Sequence, residues 1–202
     1  MTVDDGRLAG RFPMPGRSAL RTAVVGVAVA LSAGSAWTQT SREVRVRRFS
    51  IVSSRPFEDV VRRLTATIGR PDMTAFHATV SSAKTLADLE KVVGESIGPS
   101  GLMEFARFDS GEILRKERGG QGPQMLRLVV GNPLIMKQMA KAVPDAASYA
   151  PVTILIDERA DGVHLSYDSM ASLIAPYGSE PALVVARDLD AKVETLLESA
   201  AR

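Results

Sequence analysis

Ser166, His164 and Asp168 are the residues whose types suggest catalysis most directly, a nucleophile, a base and an orienting acid within five positions. Their spacing argues against a triad. Three residues on one short strand cannot point at one another, and no glycine-flanked elbow presents the serine. What remains for an enzyme is a cleft in which Asp109, His164, Tyr167 and Asp168 converge, the constellation of a hydrolase or isomerase.

Metal chemistry has little to draw on. The chain holds two histidines, His77 and His164, and no cysteine. That excludes disulfides, thiol catalysis and Cys-ligated metals, and two unpaired histidines do not make a metal site. No cofactor is expected.

Ligand binding fits the residues better. Asn132 stands between Gly131 and Pro133, where its amide could face a ligand. The same tripeptide is what a strand-to-helix turn needs: a free backbone, a locally bonding side chain and a preset φ. The turn takes precedence. Met125, Met136 and Met139, three of the eight methionines, cluster beside it. Adaptable thioethers next to a turn suit an apolar groove, although methionines at element spacing are more often core. Asn132, Met136, Met139, Tyr149, His164, Tyr167 and Asp168 are the candidate ligand-binding residues.

The basic balance of the chain, net +2 with 25 basic and 23 acidic residues, belongs to its front. Eight basic and three acidic residues precede Phe49, which leaves 17 and 20 in the rest, a balance of −3. Phosphate binding needs a concentrated cationic face, so no nucleic-acid partner is expected. Arg17 and Arg21 precede the uncharged run from Ala23 to Leu31, followed by small residues to Ala36, the order of a secretory leader. Residues 1–36 are therefore read as a signal peptide, with Met14 as the true start, and residues 37–43 as a linker. The mature chain has net charge 0 and is expected in the periplasm or outside the cell. The alternative is a retained anchor in the inner membrane, although the apolar run is shorter than a span of about 20 residues.

Residues 44–202 read as one domain. Val44 to Val52 alternates as a first strand, and Ser54-Arg55-Pro56 starts a helix, with the hydroxyl as cap, whose stripe is Phe57, Val60, Val61, Leu64 and Ile68. Gly69 to Ser82 lacks regular periodicity. Thr85 and Asp88 form a capping box for a helix through Ile97, which Gly98-Pro99 ends. Leu102 to Phe108 is a strand, Asp109-Ser110-Gly111 a turn, and Glu112 to Arg118 undecided. Met125 to Val130 is a strand, Leu134 to Val143 a helix, and Val152 to Ile156 with Val163 to Tyr167 a hairpin across Asp157 to Gly162. In the last strand His164 shares a face with Ser166, opposite Val163, Leu165 and Tyr167. Residues 181–200 close the chain as a helix with Leu183, Val184, Leu189, Val193, Leu196, Leu197 and Ala200 inward. This mixture predicts an α+β fold, a mostly antiparallel sheet with helices on one face.

Leu128 to Pro133, Tyr149 through Ile156, Asp161 to Asp168, and Tyr177-Gly178 together resemble the bacterial family called domain of unknown function 302 (DUF302). Phe105 to Asp109 is similar to that family's second strand and Ser54 to Ile68 to its first helix, so the resemblance spans most of residues 44–178. It implies a TATA-binding-protein-like fold without DNA binding, a homodimer, and no established activity. Two departures stand out: Ser110 replaces a His, and Val152 a Cys, that some members carry. Any metal or haem bound through those positions is not expected here. Gly69 to Ile97 resembles an insertion relative to shorter members.

The expected function is that of an exported, more likely non-enzymatic domain that binds a small apolar ligand or a protein partner beside Gly131-Asn132-Pro133. The alternatives are the hydrolase or isomerase above and a membrane-anchored structural or assembly protein.

Overall fold

A computed structural model of the chain describes residues 39–202, within which Arg42–Arg202 forms one compact unit. The leader at residues 1–36, with its start and cleavage points, lies outside the described residues. Among the described residues no helix is long and apolar enough to cross a membrane.

Five strands, β1 (Arg48–Ser53), β2 (Met103–Asp109), β3 (Met125–Gly131), β4 (Val152–Arg159) and β5 (Gly162–Asp168), form one antiparallel sheet in the order β1-β5-β4-β3-β2. The helices are α1 (Phe57–Thr65), α2 (Met73–Ser82), α3 (Leu86–Ser96), α4 (Ser110–Glu117), α5 (Pro133–Ala140), α6 (Ala146–Tyr149), α7 (Met170–Ile174) and α8 (Glu180–Ala201). The α+β expectation is met.

Strand alternation sorts the sheet into two faces. Leu128 pairs with Ile154 and Ile154 with Tyr167, while Leu126, Ile156 and Leu165 make the adjacent row. All six are buried against α1, α5, α7 and α8 in the main core. The other face carries Arg127, Leu155 and Ser166 in one row, Val129 and Thr153 in the next, and the Arg48–Asp168 pair beyond them.

Several local expectations change. Ser54 does not cap α1; Pro56 occupies the cap position without a side-chain bond, and the Ser53 hydroxyl accepts from the Arg55 amide instead. The stretch from Gly69 to Ser82, read as irregular, holds α2, whose N-terminus Asp72 caps by accepting from the Ala75 amide at 2.8 Å. It buries little of its own surface, so periodicity is weak. It is held by Phe76 packing on Val93 and Met103 in a second cluster. The capping box of α3 forms as expected, with Asp88 N–H donating to Thr85 Oγ1 at 3.1 Å and Thr85 N–H to Asp88 at 3.0 Å.

Asp109-Ser110-Gly111 is a helix start, not a turn: Asp109 accepts the Glu112 amide at 2.9 Å and opens α4. The β4–β5 connection is tighter than the six residues expected, because Arg159 already pairs with Gly162. On α8, Val184 is 47% exposed and Leu183 is half-buried, while Ala182, Ala186 and Asp190 take inward positions. A 22-residue helix presents one stripe, and its small residues let α8 approach the sheet closely.

Candidate functional site

The turn after β3 is built by three residues with separate duties. A Cβ on Gly131 would meet Pro151 at 3.1 Å, so glycine is needed there for close packing against the start of β4 and not for a special φ. Asn132 caps α5 by accepting the Leu134 amide at 2.8 Å, and its Nδ2 donates to the Gly101 carbonyl at 3.0 Å. Pro133 fills the first helical turn, where its missing N–H costs nothing. Asn132 therefore ties α5 to the loop before β2, and both ends of its amide are used.

Against this turn lies a cavity of about 240 Å³. Phe76 and Val80 of α2, Phe105 of β2, Ile135 and Met136 of α5, and Pro151 supply an apolar lining. His77 and Asn132 are the polar side chains beside them. One side of the wall, Phe76, His77 and Val80, comes from α2, which sequence reasoning missed. Asp72 placed just before a stretch able to be helical was the available clue.

The other residues singled out in the sequence lie elsewhere. Met139 is fully buried in the main core. Tyr149 shares a 2.8 Å hydroxyl contact with Tyr177, whose phenol that hydrogen bond pushes above its usual value. His164 Nε2 sits 2.8 Å from the Asp161 carboxylate, which this contact holds below the ordinary range. Asp168 is gripped by Arg48 at 2.7 and 2.8 Å, and that guanidinium lowers its carboxyl. Only Asn132 and Met136 of the seven candidates line the cavity at the turn.

Tyr167 points the other way, into the core. Its hydroxyl donates to the buried Asp190 at 2.6 Å, and burial first, with that carboxylate second, raises the phenol well above its usual value. Asp190 also accepts the Ser169 hydroxyl and the Met170 and Ala171 amides, at 2.7 and 3.2 Å for the amides. It joins α8 to the start of α7. Its detectable clue was an acid at the fourth position after Ala186 and the third before Val193, inside the inward stripe.

This arrangement bears on the catalytic alternative. Asp109 stands at the end of β2, bound to Arg115, while β3 and β4 separate β2 from β5. Tyr167 lies on the core face and His164 and Asp168 on the other. Asp109, His164, Tyr167 and Asp168 share no cleft. Among the described residues no group of three His, Cys, Asp or Glu side chains could hold a metal ion.

A family model described as "Domain of unknown function DUF302" matches residues 77–200. A solved structure, "Crystal structure of uncharacterized conserved protein DUF302 from Bacillus stearothermophilus", is similar over 77% of this chain and 98% of its own, with a TM-score of 0.53 and 13% identity. At that identity the likeness shows the fold alone. No curated protein matches the chain.

Proposed function

The chain belongs to the DUF302 family, and within that frame we propose that it binds a small, largely apolar molecule in the cavity beside Gly131-Asn132-Pro133. The observation that supports this is the cavity itself: about 240 Å³, apolar on most sides, and walled by separate elements of the fold. Scaled from the 150 Å³ cavity that holds benzene, it suits a guest of roughly ten non-hydrogen atoms. Ligand sites are characteristically concave, apolar and tagged by a few polar groups, here His77 and Asn132.

Export is the setting we propose for it. Arg17, Arg21, the Ala23 to Leu31 run and the small residues to Ala36 support a cleaved leader and a periplasmic or secreted product.

Titration of the full chain with naphthalene, read by its fluorescence, tests the site. Saturable binding of one naphthalene per chain is expected, and Met136→Arg and Val80→Arg each abolish it by placing a charge in the lining. Binding unaffected by both substitutions would end the proposal.

A further inference from the structure

We infer that the sheet face turned away from α1 and α8 carries a second binding site, for a small organic carboxylate with a short apolar tail. A concavity of about 500 Å³ lies over this face. Its floor is the half-buried Val129 and Leu155, and Tyr149 and Leu173 stand along one side. Pro151 and Val152 line both this concavity and the apolar cavity at the turn, so the two sites lie on either side of one short segment.

Charge decides the ligand class. At one end Arg48 and Asp168 satisfy each other through two hydrogen bonds and leave no net charge to recognise. Asp168 is thus a neutralised neighbour and not a repelling one. At the other end is Arg127, exposed, with its guanidinium carbon 5.5 Å from the Phe108 ring centroid. Phe108 pairs with Arg127 across β2 and β3, whereas Arg107, one residue earlier, lies on the opposite face with Leu128; Arg107 and Arg115 hold Glu104 and Asp109. Arg127 has no carboxylate partner among the described residues. A planar guanidinium at the rim of an apolar floor offers two parallel donors to a carboxylate while the ligand's carbon chain covers Val129 and Leu155. From β3 to β5 the face spans two strand spacings, about 10 Å, roughly the reach of an eight-carbon chain.

Calorimetric titration of the full chain with octanoate is the test, with octanol and octylamine as comparators. Octanoate is expected to bind at one saturable site and more tightly than either comparator. Arg127→Gln weakens it about tenfold or more, since a charge-assisted hydrogen bond is lost. Arg127→Lys retains part of the affinity, and Leu155→Asp abolishes binding by repelling the carboxylate and wetting the floor. Met136→Arg, which closes the other cavity, leaves octanoate affinity unchanged. The inference is overturned if octanoate does not bind, if octanol binds as tightly, if Arg127→Gln has no effect, or if Met136→Arg removes the binding. That last outcome would place the carboxylate in the cavity at the turn.

Discussion

Tyr167 and Asp190, 23 residues apart, meet in the interior through a 2.6 Å hydrogen bond that links the last strand to the last helix. Asp190 is 4% exposed and accepts four donors: two hydroxyls and the two amides that begin α7. A buried carboxylate in this position is tolerated because its lone pairs are occupied.

Replacing Asp190 by Ala strands those donors in the core. A loss of about 3–5 kcal/mol is expected, against about 1–2 kcal/mol for Tyr167→Phe, which removes only one donor. Urea unfolding followed by circular dichroism checks both, and equal losses would show that Asp190 is not the hub.

The same pair makes stability sensitive to alkali. The folded state holds the Tyr167 proton above the pKa of an unfolded tyrosine, near 10. Its contribution is therefore complete below about pH 10 and is lost as pH rises from there toward the raised folded value. One retained proton corresponds to a slope of about 1.4 kcal/mol per pH unit. Urea midpoints measured from about pH 9 to 11 should fall more steeply for the native chain than for Tyr167→Phe. Tyr177, raised through Tyr149, adds a fall in the same direction that this substitution leaves in place.

Asn132 separates structure from recognition at the turn. Asn132→Ala removes the cap of α5 and the bond to Gly101, and is expected to cost about 1–2 kcal/mol. Asn132→Asp keeps the acceptor for Leu134 but loses the donor, so it should fall between the two in thermal denaturation. If naphthalene affinity drops far more than stability in Asn132→Asp, the amide touches the ligand.

Gly69 and Gly98 run so close that a Cβ on either would collide with main-chain atoms of the other's segment. Both amides donate to the Leu102 carbonyl at 2.9 Å. Gly69→Ala should therefore cost about 2–4 kcal/mol and loosen α2 and α3 from β2. Hydrogen exchange that quickens in α2 and α3 more than in α8 is the expected signature. Gly94→Ala, inside α3 where a Cβ meets nothing within 4 Å, is the comparison and should gain about 0.5–1 kcal/mol.

Local chemistry was readable where a residue's neighbours in sequence are also its partners in space. The Thr85–Asp88 box, the Pro133 start and the alternation of Val163, Leu165 and Tyr167 are of that kind. So were β3, β4 and β5, whose apolar rows set which face meets the helices. α2 was not readable, because Phe76 finds Val93 and Met103 only after the chain has returned, and its own ten residues have little amphipathic pattern.

The site divides along the same line. Sequence alone determined the turn, its capping asparagine and the methionines after it, because these depend on contacts within a few residues. Only the tertiary structure decided that Met139 faces the core while Met136 faces a cavity, that Tyr167 belongs to Asp190, and that His164 and Asp168 answer to Asp161 and Arg48. Met136, Tyr167 and Asp168 depend on partners far away in the chain, which only packing brings alongside, and Asp161 meets His164 across a β4–β5 turn tighter than its sequence suggests.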